Sequence, residues 1–366
     1  MNIGRAMTRH GPQIFRWAAL VLVFTACSGF AETPQEFEKA YTIYRKHAAN
    51  GEWRAALTSA EDAYYLGLKT FGRDDLNTAN LAYNYGRLLN RFDRREEARP
   101  VLATGLSILE KRYGEDAVQL IDTLTELGEA SWTSTSEDAS LAYFSRAATL
   151  AEKAGPMEQA TVNMTIGVFL SNTALSPTAE SYLLTARERL DRLFGEKDVR
   201  TAIVSMQLAK WQLAREQYGA ALGMLRTPLA VFAANQANFG LEIATRAFIV
   251  QALEGLGRHD EATRHCLIIG RLSGQGRYLP LVKVQPQYPP AALKQGRTGW
   301  VVVEFTVDKE GYVRDARVAD ASSPVFRDAA LAAARQFRYA PRFEGGKPVA
   351  TTGVQNRITF DIVGAR

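Results

Sequence analysis

A repeat of about 41 residues is the feature of this sequence that most constrains its fold. Between Glu36 and about Gly270, a short polar turn recurs with an alanine five residues after it, and the alanine-to-alanine intervals are 42, 41, 40, 42 and 41. The six pairs are Gly51/Ala56, Asp93/Ala98, Ser134/Ala139, Ala174/Ala179, Glu216/Ala221 and Gly257/Ala262. Apolar residues between the turns recur at helical spacing. A constant period of this size predicts an α-solenoid of about six helical hairpins.

A second marker lies in the other loop of each repeat. The aromatic–glycine pairs are Phe71-Gly72, Tyr113-Gly114, Phe194-Gly195 and Phe239-Gly240. We interpret each glycine as a left-handed helix C-cap and each aromatic residue as a packing contact. The copy expected near Gly155 reads Ala154-Gly155-Pro156 and lacks the aromatic residue.

These units resemble tetratricopeptide repeats of the longer, kinesin-light-chain-like kind. The most typical stretch is Leu88-Leu89-Asn90-Arg91-Phe92-Asp93-Arg94-Arg95-Glu96-Glu97-Ala98, and the match covers about 235 residues. The resemblance implies a repeat domain over 32–270 with a concave surface that binds a peptide or another protein. The sequence does not identify the residues that line that surface.

After Ile269 the helical periodicity ends, and glycine and serine predict a linker over 271–284. A smaller domain over 285–366 follows. Its pattern predicts a strand at 299–307, a second strand at 312–319, a helix at 324–337 and a last strand at 349–363.

This last region resembles the C-terminal domain of the TonB family. The match is carried by Gln285-Pro286-Gln287-Tyr288-Pro289, by Val303-Glu304-Phe305-Thr306-Val307 with Gly311, and by Phe337-Arg338-Tyr339-Ala340-Pro341. Pro324 stands where the family usually has glycine. The resemblance implies a small three-stranded antiparallel sheet covered by one helix. It also implies capture of an extended segment, the TonB box, from an outer-membrane transporter by β-strand addition.

The candidate partner-binding residues follow from that resemblance. We place the acceptor edge on the last strand, with Gln355, Arg357 and Thr359 on one face and with apolar residues on the other. Gln285 and Gln287 correspond to polar residues beside the captured segment in the family. Two interpretations of Tyr288 and Pro289 stay open, namely direct contact with the partner and a structural lock on the domain.

The N-terminus predicts export. Residues 1–31 combine a basic region through Arg16, an apolar core from Trp17 to Ala26 and small residues after it, which is typical of a signal peptide. Cleavage after Ala31 is favoured. The alternatives are acylation of Cys27, since the residues before it resemble a lipoprotein signal, and retention of the apolar core as an anchor. The expected location is the periplasm, or a membrane-attached position facing it.

Other classes of function find little support in the sequence. Two cysteines exclude a disulfide scaffold, and the net charge of +5 is too small to argue for nucleic acid. His259, His265 and Cys266 lie in one helical pattern without a second ligand pair, so we expect no metal site. Catalytic motifs are absent from the sequence, and we therefore expect neither an enzyme nor a cofactor.

The expected function is that of a cell-envelope adaptor of the TonB family in transport across the outer membrane. Its partners would be a TonB-dependent transporter, a further protein recruited by the repeats, and inner-membrane motor proteins of the ExbB/ExbD type. A retained N-terminal helix with a polar motor-contact residue, and a long proline-rich spacer, are not evident. The alternative is therefore a non-energised periplasmic scaffold that takes no part in transport.

Overall fold

The computed structural model describes residues 33–133, 137–173, 177–274 and 278–362. The chain divides after Leu193 into two compact units. Helices in the described residues of the repeat region are α1 (Thr33–Ala49), α2 (Trp53–Phe71), α3 (Leu76–Arg91), α4 (Arg95–Tyr113), α5 (Ile121–Ser131), α6 (Asp138–Ala154), α7 (Pro156–Thr173), α8 (Pro177–Phe194), α9 (Val199–Ala214), α10 (Tyr218–Met224), α11 (Arg226–Ala233), α12 (Phe239–Gly255) and α13 (His259–Leu272). They form six helical hairpins, with α10 and α11 together as the second arm of the fifth hairpin. The predicted solenoid class is confirmed.

Four hairpin turns have a left-handed residue at the position that the repeat predicts. Their φ angles are 71° at Gly51, 64° at Asp93, 60° at Glu216 and 70° at Gly257. In the first, the Glu52 amide donates to the His47 carbonyl oxygen at 2.9 Å, which is the long hydrogen bond of a Schellman cap. This cap ends the first helix at the same point of these four hairpins. The predicted turns at Ser134 and Ala174 lie outside the described residues.

The second loop marker is partly corrected by the structure. Glycines after α2, α4 and α6 have positive φ as expected, but their ψ angles are 174°, 161° and 171°, so the chain leaves each helix extended rather than in the left-handed helical region. Gly155 belongs to this group although its loop lacks the aromatic residue. Gly240 does not, because it lies in the first turn of α12. The prediction for the Phe239-Gly240 pair was therefore wrong.

In the second, third and fourth hairpins a glycine on the first helix receives a large side chain from the second helix. A Cβ atom on Gly86 would lie 2.4 Å from the Leu102 side chain, and one on Gly128 would lie 2.3 Å from Phe144. Ser140 is fully buried and donates a hydrogen bond to the Gly128 carbonyl oxygen at 2.7 Å. Ala139, predicted for the buried position, is exposed. The third repeat is thus displaced by one residue, because serine is small enough to fill the alanine position.

The second unit ends in a small α+β domain. Its strands are β1 (Leu279–Val282), β2 (Gly299–Val307), β3 (Val313–Ala321), β4 (Arg338–Ala340), β5 (Arg342–Glu344), β6 (Lys347–Val349) and β7 (Thr351–Phe360), and its helices are α14 (Pro290–Lys294) and α15 (Arg327–Ala334). An antiparallel sheet has the order β3-β2-β7, and α15 packs on β2 and β3. Phe326, Phe337 and the inward residues of β2 fill the core between helix and sheet. The predicted three-stranded sheet with one covering helix is confirmed.

Element boundaries differ from the predictions at several points. The strand predicted at 299–307 agrees with β2, whereas the helix predicted at 324–337 consists of a 3-10 turn at Pro324–Phe326 and the shorter α15. Part of the predicted last strand belongs to β6, which pairs with β5 in a separate hairpin. The segment predicted as a linker contains β1, which pairs with β4. A proline inside so short a strand hides it from sequence patterns.

The α+β domain packs directly against the last helical hairpin. A Cβ on Gly270 of α13 would lie 2.4 Å from the Pro341 carbonyl oxygen and 2.9 Å from the Phe343 ring. Phe343 is 4% exposed. Glycine is therefore needed at this point of α13 for the close approach of β5. The domain covers a face of the repeat that would otherwise be open to solvent.

A buried arginine completes this contact. Arg338 of β4 is 2% exposed, and its Nε lies 3.1 Å from Oε1 of Glu254 in α12. Its Nη2 donates to Thr263 Oγ1 at 2.9 Å and lies 3.5 Å from Cys266 Sγ. The guanidinium is stacked 3.5 Å from the centre of the Tyr312 ring. Charge, hydrogen bonding and stacking thus hold β4 against the last hairpin.

Candidate functional site

The three-stranded sheet has two outer strands, β3 and β7, on either side of β2. An outer strand has backbone N–H and C=O groups that a further strand can pair with. In the described residues neither β3 nor β7 has a second neighbouring strand. The two edges differ strongly in regularity and charge.

The β3 edge is poorly suited to strand addition. Its register with β2 shifts twice, and Asp315 lies at a positive φ of 52° inside the second irregularity. Arg314, Arg317 and Asp320 are exposed along the same strand. Bulges and charges of this kind are the means by which proteins protect sheet edges from further pairing.

The β7 edge is regular over most of its length. Each residue from Val354 to Phe360 pairs with one residue of β2, from Phe305 back to Gly299, without a shift. The irregularity lies before this stretch, where Gly353 has a φ of 70°. Seven strand residues extend over about 23 Å. The predicted acceptor strand therefore offers room for an extended segment of about seven residues.

Side chains alternate along β7 as the sequence predicted. Gln355, Arg357 and Thr359 are exposed on the outer face of the sheet, away from α15. Val354, Ile358 and Phe360 are buried in the core on the inner face. The strand is thus anchored through one face, and the opposite face is free to contact a partner.

The outer face carries a hydrogen-bonded polar row across the sheet. Glu304 of β2 accepts hydrogen bonds from Arg317 of β3 and from Gln355 Nε2 of β7, the latter at 3.1 Å. These bonds, first that from Arg317, hold the pKa of Glu304 below its ordinary value. The Arg357 guanidinium lies 4.4 Å from the centre of the Trp300 ring. Trp300 and Glu304 are site residues that the sequence reasoning missed, since it did not consider the neighbouring strand.

The segment before β2 reaches the end of β7 through Tyr288. Its ring makes edge contacts with Phe326 and Phe360, at centroid distances of 6.0 and 5.7 Å. Its hydroxyl donates to the Arg297 carbonyl oxygen at 2.5 Å. Pro289 is the N-cap of α14. This geometry favours the interpretation of Tyr288 and Pro289 as a structural lock.

Gln285 and Gln287 are exposed on the same segment. The structure gives neither side chain a hydrogen bond within the described residues, so both amides are open to a partner. Tyr288 places this segment beside Phe360, at the last residue of the acceptor strand. The seven predicted partner-binding residues thus lie on β7 and on the segment locked to its end.

The acceptor strand is also linked to the buried arginine. Tyr339 follows Arg338 in β4, packs against Phe305 of β2 and interacts with the Asn356 side chain of β7. Burial raises the pKa of the Tyr339 hydroxyl to about 12. Arg338 was missed because it reads as an ordinary surface residue in sequence, and its partner Glu254 is far away in the chain. Contacts therefore run from the last hairpin to the acceptor edge.

The histidine and cysteine residues of α13 have a structural environment. Cys266 is a buried free thiol whose pKa is raised by burial. Burial, and then the charge of Arg246, lowers the pKa of His265 to about 4. In the described part of the chain no group of histidine, cysteine and acidic residues could hold a metal ion. None of the described helices is both long and apolar enough to cross a membrane.

Comparison with protein families assigns the α+β domain. Residues 284–362 match the family model described as Gram-negative bacterial TonB protein C-terminal. The segment is a TonB-type domain. The resemblance to the TonB family is thereby confirmed for this part of the chain, which we call the TonB-like domain, and the family is one of the Gram-negative cell envelope.

Solved structures similar to the chain were also found. An assembly chaperone of RpL4 (Acl4, residues 1–338) is 13% identical, with a TM-score of 0.43 over 63% of this chain and 88% of that chain. A putative kinesin light chain with nearly identical TPR-like repeats, from Podosopora anserina, is 14% identical, with a TM-score of 0.35 over 66% of this chain and 97% of that chain. No curated protein sequence matches the chain.

Proposed function

We propose that this protein is a cell-envelope adaptor whose TonB-like domain captures an extended segment of an outer-membrane transporter at the β7 edge. The observation that carries the proposal is the contrast between the two edges of the sheet. The stretch from Val354 to Phe360 is regular and carries one charged residue, whereas β3 is interrupted and charged. Backbone pairing would supply attachment, and the exposed side chains of β7 would supply selection.

The helical repeats would recruit a second protein, so that the chain joins it to the transporter. The direct packing of the TonB-like domain on the last hairpin supports this role, because a load on the captured segment would pass to the repeats through Arg338. We propose no catalytic activity and no cofactor. Export to the periplasm, with or without membrane attachment or contact with motor proteins of the ExbB/ExbD type, belongs to the same proposal.

Backbone methylation of the ligand tests strand addition directly. Fluorescence anisotropy would measure binding of the full chain to ten-residue peptides from the periplasmic N-terminal segments of TonB-dependent transporters. Each peptide residue in turn would be N-methylated, which removes one donor and leaves its side chain in place. A lost backbone hydrogen bond should weaken binding about two- to tenfold.

The expected result is a loss of binding at every second residue, because alternate N–H groups of an added strand face β7. Uniform tolerance of N-methylation, or no binding of any peptide, would contradict the proposal. Peptides with D-residues at the same positions serve as a control for loss of the extended conformation.

A non-energised scaffold is the second candidate. It is favoured by the helical hairpins that precede the TonB-like domain, because a full energy transducer of the family has a long proline-rich spacer in that place. Transporter-dependent uptake should fall in a strain that lacks the domain if the adaptor takes part in transport, and should be unchanged if it is a scaffold. N-terminal sequencing and mass analysis of the exported protein would distinguish cleavage after Ala31, acylation of Cys27 and retention of the anchor.

A further inference from the structure

The arginines on the outer face of the sheet differ in their pairing. Arg317 is paired with Glu304, and Arg314 is paired with Asp308 at 2.8 Å. Arg357 has no carboxylate within ion-pair distance in the parts of the chain that the structure describes. It is also the one charged residue on the regular stretch of the acceptor edge. The outer face therefore keeps a positive charge at the place where an added strand would lie.

Trp300 fixes the position of this charge. The guanidinium lies 4.4 Å from the ring centre, so the aromatic face holds it on the outer surface of β7. Stacking engages the face of the guanidinium and leaves the N–H donors at its edge available. Two N–H groups in a fixed fork match the two oxygens of a carboxylate. The arrangement is prepared for an acidic side chain on a neighbouring strand.

From this arrangement we infer that the captured segment carries an aspartate or glutamate opposite Arg357, flanked on each side by residues that point to the inner face of the sheet. The inference rests on the proposed strand addition at β7. On the inner face the side chains that flank Arg357 are Asn356 and Ile358, so an apolar residue fits best beside Ile358 and a small or polar residue beside Asn356. The preferred ligand is an extended segment with an acidic residue opposite Arg357 and an apolar residue opposite Ile358, and Arg357 determines the acidic preference.

The test uses the full chain and synthetic peptides in which apolar residues alternate with threonine. One threonine at a time is replaced by aspartate, asparagine or lysine, and dissociation constants are measured by fluorescence anisotropy. A cross-strand pair of opposite charge should strengthen binding about two- to fivefold over asparagine, and lysine should weaken it by a similar factor. The preference should appear at the position that faces Arg357.

Two matched variants assign the preference to Arg357. In wild type the peptide with aspartate should bind more tightly than the one with asparagine, and the one with lysine most weakly. Arg357→Gln should abolish this order of affinities, while the alternating peptide that contains only threonine at these positions still binds. Arg314→Gln removes the same charge from the same face at the other edge, and should keep the order. Two results would overturn the inference without contradicting strand addition. One is equal affinity for the three peptides at every position, and the other is an order of affinities that persists in Arg357→Gln. Absence of binding by every peptide would instead count against the proposed function.

Discussion

Replacement of Arg338 by methionine is expected to loosen the TonB-like domain from the last helical hairpin. The substitution removes the positive charge beside Glu254, whose side chain is 16% exposed. It also removes the hydrogen bond to Thr263 and the stacking on Tyr312. Removing one partner of a buried ion pair costs about 3–5 kcal/mol. The lower end applies here, because Glu254 retains a contact with His259 at 2.6 Å.

We therefore expect Arg338→Met to lower the free energy of unfolding of the second unit by about 3 kcal/mol. Arg314→Met is the matched control, because Arg314 also pairs with a carboxylate but is 60% exposed, and its loss should cost about 1 kcal/mol or less. The double variant Arg338→Met/Glu254→Gln should regain part of the loss, since no buried carboxylate is then left without a cation.

Urea unfolding of the full chain, followed by tryptophan fluorescence, measures these differences. Hydrogen exchange of peptides covering 254–266 and 338–343 locates them. The reasoning is refuted if Arg338→Met is no more destabilised than Arg314→Met. It is also refuted if the double variant loses as much stability as the two single variants added together.

Three further predictions concern stability. Gly270→Ala should lower the Tm of the second unit, because the added methyl group would clash with the Pro341 carbonyl oxygen. Gly219→Ala is the control: this glycine lies in open space on α10, so the change should raise the free energy of unfolding by about 0.5–1 kcal/mol. Equal shifts in the two variants would contradict this account. Burial, and then the charge of Glu126, raises the pKa of Glu129 from its ordinary 4.5 to about 8. As pH rises, the unfolded chain therefore loses this proton before the folded chain does. The free energy of unfolding of the first unit should fall as pH rises from 4.5 to 8. Glu129→Gln should flatten that dependence in urea titrations. The lowered pKa of His265 acts in the opposite direction, so the second unit should lose stability as pH falls from 6.5 to 4, and His265→Gln should remove this loss.

The hairpins could be predicted from sequence because one local geometry recurs in the four hairpin turns that the structure describes. A left-handed cap ends the first helix, and a small residue begins the buried face of the second helix. In the third repeat the small buried residue is Ser140, so a pattern based on alanine predicted the neighbouring Ala139 instead. The signal that would have corrected it is Gly128, since Gly86 and Gly167 hold the equivalent position and also receive a large side chain.

The contact between the last hairpin and the TonB-like domain could not be predicted. It joins Glu254 to Arg338 and α13 to β5, which are far apart in the sequence and carry no periodic pattern. The glycine and serine residues before β1 also indicate a flexible linker when they are read locally. Long-range packing decides such a contact, and one sequence does not show it.

The last strand and its two faces could be predicted because alternation of apolar and polar residues sets the two faces of a strand. The choice between the two sheet edges needed the structure, since bulges and left-handed residues such as Asp315 are not visible in the sequence. Arg357 was selected as an exposed residue of the strand. Its stacking on Trp300 depends on the register between β2 and β7, which the sequence leaves open.

Hydrogen exchange at the two sheet edges tests strand addition most directly. Amide exchange of the full chain would be compared without and with a saturating transporter-derived peptide. We expect new protection within Val354–Phe360 and unchanged exchange along β3. Protection along β3, or a bound peptide that leaves β7 unprotected, would contradict capture at the β7 edge.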